Sequence, residues 1–504
     1  MTLPQYDWIA HHAEFSPHKT AQIDMHSGRS FTYAQMHDRV DRLAAWMQNE
    51  ASIVAGDRVS VLAHNSTDVY EIFFAGQRVG AMVLPLNWRL AVPELEFILN
   101  DAEPKLLIYS DEFSDAALEL RSRCNIVHTV HKLDGDDSAF EQIMTADAQS
   151  YQQVERSLED IWVLMYTSGT TGRPKGAQLS YQNQMFNNIN CTMKAELTRN
   201  STTLVFLPQF HVGGLCVYAL PCFHLGATTM IMRQFDAATC LKLLADPNSG
   251  VTHTFGVPTN FLFMAQLPQF AQADFSHLVS IGIGGAAAPL SLLETWAEKN
   301  LLLQQGWGMT ETSTVGTLLD QAEALTKIGS SGSKVLHNEL RIVDDKDEPL
   351  PAGETGELQI RGPQVTPGYW RRPEANESSF VDGWLRTGDA AYVDEEGFYY
   401  IVDRWKDMYI SGGENVYPAE TENVLYGLAG VAECAVIGVP DETWGEVGRA
   451  FIVVDADAEL DEKAVMEHCQ ANLAKFKVPR SVRFVPELPH NATGKIVKHQ
   501  LPRE

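Results

Sequence analysis

Hydrophobic positions along the first third of the chain alternate between two periods. Val59-Ser60-Val61-Leu62, Met82-Val83-Leu84-Pro85 and Leu106-Leu107-Ile108-Tyr109 are short apolar runs that read as buried strands. Val40, Leu43, Ala44 and Met47 recur at helical spacing after Phe31-Thr32-Tyr33, and Val69 to Val79 carries a second helical pattern. This alternation predicts an α/β lobe over residues 1 to about 150 that serves as scaffold. Ile161-Trp162-Val163-Leu164-Met165 predicts a strand, after which a central lobe begins. There, Val251 to Asn260 reads as a strand running into a helix, and 281–284 and 301–304 read as strands. Past residue 325, Leu340-Arg341-Ile342-Val343 and 356–362 are short strand patterns punctuated by Gly, Pro and Asp, predicting a small β-rich subdomain. Strand-like 432–439 and 450–454, with helical 465–473, predict a compact α+β domain at the end of the chain. The expected class is α/β, with a large N-terminal domain over 1–405 and a small C-terminal domain over 406–504. The large domain comprises two α/β sheet lobes and the β-rich subdomain.

Composition narrows the function classes. The 504 residues carry a net charge of −27, which disfavours nucleic acid or an anionic membrane as partner. Seven scattered cysteines without a C-x-x-C pair argue against disulfides and zinc, and suit the reducing cytoplasm. Met1 to Lys19 lacks a basic start followed by an apolar core, so no signal peptide is expected. Between Arg199 and Arg233 no residue is formally charged, but Pro208, His211, Gly213-Gly214, Pro221, His224 and Gly226 interrupt the stretch. A buried sheet-and-helix segment is expected there, with no stable membrane insertion.

The chemistry concentrates at Tyr166-Thr167-Ser168-Gly169-Thr170-Thr171-Gly172-Arg173-Pro174-Lys175-Gly176. Glycines let backbone N–H groups approach an anion, hydroxyls add donors, and Lys175 adds positive charge. This is a polyphosphate cradle, but its spacing departs from G-x-x-x-x-G-K-[ST]. The stretch resembles the signature loop of the adenylate-forming superfamily, which includes acyl- and aryl-CoA synthetases, amino-acid-activating domains and firefly-type luciferases.

Further motifs occur in that superfamily's order. The resemblance implies ATP contacts from Thr167, Ser168, Gly169, Thr170, Thr171, Gly172 and Lys175, then from Gly285 and Ala286 of the Gly-Gly-Ala region. Gln305-Gly306-Trp307-Gly308-Met309-Thr310-Glu311 is similar to a Tyr-Gly-x-Thr-Glu motif with Trp307 in the tyrosine's place. Gln305, Gly306, Trp307, Gly308 and Thr310 would line the nucleotide, the Trp307 ring stacking on adenine. Glu311 would hold Mg²⁺, a hard cation suited to carboxylate and phosphate oxygens, together with Thr167. Asp389, in Thr387-Gly388-Asp389, would accept both ribose hydroxyls, and Arg404 would contact ribose or phosphate. Lys406 would be the hinge of a mobile C-terminal domain, Gly412 and Gly413 would border the CoA channel, and Lys495 of Gly494-Lys495 would be the catalytic adenylation lysine.

Taken alone, His211 reads as a core histidine, Asp389 as a turn aspartate and Glu311 as an exposed loop acid. The resemblance instead implies an acyl pocket of Phe210, His211, Gly213, Phe255, Val257 and Gly284, apolar and without a charged anchor. The implied activity is that of an acyl-CoA synthetase. A fatty or aryl acid is activated by ATP to an acyl-adenylate and transferred to CoA, releasing AMP and pyrophosphate. The alternatives are an amino-acid-adenylating enzyme, a luciferase-like enzyme and a non-catalytic nucleotide-binding protein. A homodimer is the default assembly.

Overall fold

The computed structural model describes residues 3–132, 138–167, 174–286, 288–405, 407–411, 414–441, 443–455, 458–490 and 496–503. Their strands form three sheets. In the first, the order is His128–Lys132, Leu106–Ser110, Arg58–Leu62, Met82–Pro85, Ile161–Thr167 and Lys175–Ser180. All neighbours are parallel except the last two, which pair as an antiparallel hairpin. The phosphate-loop strand therefore completes the first sheet rather than opening the central lobe. An apolar run buried on both faces reads alike in either sheet, so its period carried no information about its partner.

The second sheet holds 14 strands among the described residues. Thr20–Asp24, from the N-terminal region, pairs in parallel with Thr228–Ile231. Parallel pairing then runs through Thr202–Val205, His253–Gly256 and Ser280–Gly284 to Leu303–Trp307. From there the ladder continues antiparallel through Thr317–Leu318, Gly332–Lys334, Phe398–Arg404, Trp384–Val393 and Gly356–Arg361 to Glu339–Val343. The β-rich region is thus hydrogen-bonded continuously to the central lobe. The stretch between Arg199 and Arg233 supplies two of these strands and the short helices Val212–Leu215 and Ala219–Leu225. Among the described residues no helix is long and apolar enough to cross a membrane.

One helix, Thr67–Val79, is buried along its whole length between the two large sheets. Its apolar side packs Tyr70 and Phe74 on Phe223, and Phe73 and Phe74 on Trp162. Its polar side would be costly to bury without partners. Asp68 and Glu71 therefore meet Arg29 and Arg39, while Arg78 meets Asp7 at 2.7 Å and Asp41 at 2.9 Å. Gly80 ends the helix at φ +76°, a left-handed conformation in which glycine pays no Cβ penalty.

The third sheet comprises Glu414–Val416, Tyr409–Ser411, Gly445–Val454, Val431–Asp441 and Ser481–Phe484. Helices Pro418–Tyr426 and Glu462–Asn472 contribute Leu425, Val465 and Cys469 to its own apolar cluster with Val436 and Ile452.

Candidate active site

The site grows from the carboxyl ends of the parallel strands of the second sheet, where α/β folds characteristically place their ligands. Leu303–Trp307 runs directly into the loop that carries Glu311. Gly308 is obligatory there, because a Cβ would lie 1.2 Å from the Thr314 carbonyl oxygen. The loop closes through left-handed Ser313 at φ +54° and Thr314 at φ +125°. Thr312 pins it locally, its Oγ1 accepting the Met309 N–H at 3.0 Å.

The helix Tyr181–Lys194 supports this loop through buried Asn187, and the neighbouring segment 363–365 through buried Asn183 and Asn190. Asn187 Oδ1 accepts the Thr314 hydroxyl at 2.8 Å. Asn183 Nδ2 donates to the carbonyls of Pro363 and Val365, and Asn190 Nδ2 to Gln364 Oε1. Sequence reasoning passed over all three. Their only signal is an excess of amides on the inward face of a helix, which is costly unless each finds a partner.

Glu311 and Asp389 are both about 5% exposed, so neither is the exposed loop or turn acid that local sequence suggests. The Tyr369 hydroxyl donates to Glu311 Oε1 at 2.8 Å. Burial and the adjacent carboxylate push the Tyr369 phenol up, so it remains a donor. Trp307 Nε1–H donates to Asp389 Oδ2 at 2.7 Å. Gly316 makes room for that indole, since a Cβ there would lie 2.3 Å from its Cζ3. Gln305, also buried, spends its amide on the Ser330 carbonyl at 3.1 Å. Thr310 is buried in the same turn as Glu311. Gly306 faces Gly284 so closely that a Cβ on Gly284 would meet the Gly306 oxygen at 2.6 Å. Gly285, at φ +82°, and Ala286 follow as exposed backbone.

Thr167 and Lys175 are paired across the hairpin, and Lys175 Nζ lies over the Tyr369 ring at 5.3 Å. Ser168, Gly169, Thr170, Thr171 and Gly172 lie outside the described residues, as do Lys406, Gly412, Gly413 and Lys495. Arg404 stands opposite Asp389 in the strand register.

The residues expected to form the acyl pocket divide. Leu207, Gly213, Tyr218 and Phe255 line one small cavity. Gly282 lets Phe255 and Tyr218 approach there, a Cβ being 2.5 Å from the one and 2.8 Å from the other. Phe210 packs edge-on to Trp88 at 6.3 Å. His211 Nδ1 accepts the Gly213 N–H at 3.2 Å, capping the short helix that follows. Val257 instead joins the apolar core with Phe261, Met264 and Ile283.

A sequence model described as AMP-binding enzyme matches residues 9–370, most of the chain. The chain belongs to the AMP-binding enzyme family. A second model, the AMP-binding enzyme C-terminal domain, matches residues 420–495. The chain is 39% identical over 496 residues to a feruloyl-CoA synthase of Amycolatopsis sp, covering 98% of each. It is 37% identical over 486 residues to a long-chain-fatty-acid–CoA ligase of Mycobacterium tuberculosis, covering 96% of this chain and 95% of that one. It is also similar to the solved o-succinylbenzoate CoA synthetase from Bacillus subtilis in complex with ATP and magnesium ion. That likeness has TM-score 0.87 and 30% identity, and covers 99% of both chains.

Proposed function

We propose that this AMP-binding enzyme is an AMP-forming carboxylate–CoA ligase acting on an apolar fatty or aryl acid. The observation that carries the reading is the convergence of Glu311 and Lys175 on Tyr369, together with Asp389 held by Trp307. One buried acid and one lysine then face the phosphate side, while an aromatic and a second acid face the nucleoside side. The related CoA ligases, whose named substrates are aryl and fatty acids, support the same activity.

The first step joins two anions, so its barrier is largely repulsion and alignment, and positioning with charge neutralisation supplies the catalysis. The substrate carboxylate attacks the α-phosphorus of ATP, pyrophosphate leaves, and an acyl-adenylate remains. Asp389 accepts the ribose hydroxyls, with Arg404 beside it. Trp307, Gly285, Ala286, Gly306 and Gly308 offer the adenine a flat, side-chain-poor bed. Lys175, Thr167 and the loop residues 168–172 hold the leaving pyrophosphate, and Lys495 bridges the reacting oxygens.

Glu311 is a single buried carboxylate, and the described residues contain no cluster of three or more metal-ligating side chains. That donor set fits Mg²⁺, which keeps waters and substrate phosphates and takes one or two carboxylates from protein. When bound, Mg²⁺ would neutralise phosphate charge; Glu311 and Thr167 would hold it.

In the second step the CoA thiol attacks the adenylate carbonyl and AMP departs. We place the boundary between the domains at 405/406. The long sheet's strand ends at Arg404 and the third sheet begins at Tyr409, which supports Lys406 as hinge and Gly412-Gly413 as the CoA-side loop. The acyl chain lies against Phe210, His211, Gly213, Phe255 and Gly284, with Val257 behind them in the core. Cytoplasmic residence accords with the seven buried cysteines, which are free thiols.

The test is pyrophosphate release from ATP and Mg²⁺ over a panel of fatty and aryl acids, each with and without CoA. Acid-dependent release sustained only with CoA is expected. Release indifferent to CoA would overturn the ligase reading in favour of another acceptor, and ATP binding without release would favour a non-catalytic protein.

A further inference from the structure

Segment 366–370 is stitched to two parts of the site at once. On one side, the Thr366 N–H donates to the Glu311 carbonyl at 2.7 Å. On the other, the Trp370 N–H donates to the Gly176 carbonyl at 2.7 Å, and the Gly368 carbonyl accepts the Gln178 N–H at 3.1 Å. Residues 176–178 belong to the strand leaving the phosphate loop. The segment is itself held by Asn376, whose Oδ1 accepts the Tyr369 N–H at 2.7 Å. Gly368, at φ +143°, must be glycine for Asn376 to approach, since a Cβ would lie 2.9 Å from that side chain. Tyr369 is thus presented on a rigid bracket between strand 175–180 and the Glu311 loop. Its hydroxyl meets Glu311 Oε1 at 2.8 Å and its ring face lies under Lys175 Nζ at 5.3 Å.

We infer that Tyr369 is a positioning residue for the adenylation step. It orients the Glu311 carboxylate for the metal through its hydroxyl, and holds Lys175 toward the phosphates through its ring. A ligating carboxylate free to rotate binds its ion less well, and a partner that fixes it typically matters by an order of magnitude or more. The ring contributes separately, because a cation over an aromatic face is attracted whether or not the hydroxyl is present. The inference rests on the reading of Glu311 as the Mg²⁺ carboxylate.

The test uses the full chain with a non-hydrolysable ATP analogue, and Mn²⁺ as a paramagnetic probe of metal affinity. Tyr369→Phe removes only the hydroxyl. It is expected to raise the Mn²⁺ dissociation constant in the analogue complex about tenfold. Binding of AMP without metal, which reports an intact nucleoside site, is expected to stay unchanged. Tyr369→Leu is expected to weaken the analogue further, because Lys175 also loses its ring. Mn²⁺ held by Tyr369→Phe as tightly as by the wild type would overturn the inference. So would a loss of AMP binding equal to the loss of Mn²⁺ binding, which would make Tyr369 merely structural. Glu311→Gln separates the underlying reading. If it leaves Mn²⁺ affinity untouched, the metal role of Glu311 fails and the inference with it; if it abolishes Mn²⁺ binding while Tyr369→Phe does not, only the inference fails.

Discussion

The indole N–H of Trp307 is bonded to the Asp389 carboxylate at 2.7 Å, although three other strands separate theirs in the sheet order. The antiparallel end of the long sheet must curl to bring them together. The apolar cluster of Trp307 with Leu358, Ile360, Leu385 and Tyr399 fills the inside of that curl. The bond orients an acid proposed to hold the ribose. Trp307→Phe keeps an aromatic ring and removes the donor. It is expected to raise KM for ATP about tenfold, the scale of one hydrogen bond to a charged group, with kcat little changed. Discrimination between ATP and 2′-deoxy-ATP should shrink as well. Unaltered KM and discrimination would show that the bond does not serve the nucleotide.

Lys495 is proposed to act only while the carboxylate meets the α-phosphate. The described residues before and after it are tethered to the rest of the small domain: His490 to Glu433 at 3.2 Å, and Lys498 to Glu422 at 2.8 Å. Burial opposes the Lys498 charge, but Glu422 and Asp403 outweigh it and hold the ammonium protonated. Lys495→Ala is expected to slow adenylation by several orders of magnitude while thioester formation from supplied acyl-adenylate survives. Single-turnover assays of the two half-reactions check this, and near-normal adenylation would remove Lys495 from its role.

Asp403 lies on the last strand before the proposed hinge, yet its Oδ2 accepts the Ala419 N–H at 2.8 Å and stands 3.8 Å from Lys498 Nζ. A rotation about Lys406 has to exchange these contacts. Lys406→Pro, which restricts the backbone, is expected to spare adenylation and block thioester formation. Asp403→Asn is expected to change the two half-reactions unequally. Equal effects on both, from either variant, would argue against rotation at this point.

Two histidines, His253 buried and His224 half-buried, predict acid lability. Burial lowers the His224 and His253 pKa values from 6.5 to about 4. His224 leaves Nδ1 without a hydrogen-bond partner, whereas His253 donates Nε2–H to the Ala195 carbonyl at 2.9 Å and its Nδ1 accepts from the Thr252 hydroxyl at 2.7 Å. Both rings are neutral in the folded chain and bind protons on unfolding. Their contribution is therefore complete above the unfolded pKa and is lost as pH falls toward 4, by about 3 kcal/mol each at most. Tm measured from pH 8 to pH 5 should fall below pH 6.5, and His224→Gln should flatten that fall. An unchanged slope would place the acid lability elsewhere.

Much of the fold was legible because periodicity reports burial. Runs at 59–62, 82–85, 106–109 and 281–284 all became strands, and the pattern over Val69 to Val79 became a helix. What period could not say was which sheet received each strand. Ile161–Thr167 joined the first sheet and Thr20–Asp24 the second, and a strand covered on both faces looks the same in either. The charged positions of Thr67–Val79 were similarly silent, because their burial is tolerable only once Arg29, Arg39, Asp7 and Asp41 arrive from other segments.

The sequence by itself determined the family, since a glycine- and hydroxyl-rich loop with its lysine, an acid after Gly-Met-Thr and an acid after Thr-Gly keep their chemical identity in any fold. It could equally name Trp307 and Asp389 as members of one site. Only the tertiary structure decided that these two are bonded to each other, that Asn187 holds the Glu311 loop while Asn183 and Asn190 of the same helix hold segment 363–365, and that Tyr369 links Glu311 to Lys175. The reason is geometric. A motif specifies which groups the chain owns, whereas a hydrogen bond between residues 58 or 82 positions apart exists only after sheet register and curl have set their distance to within a few tenths of an ångström.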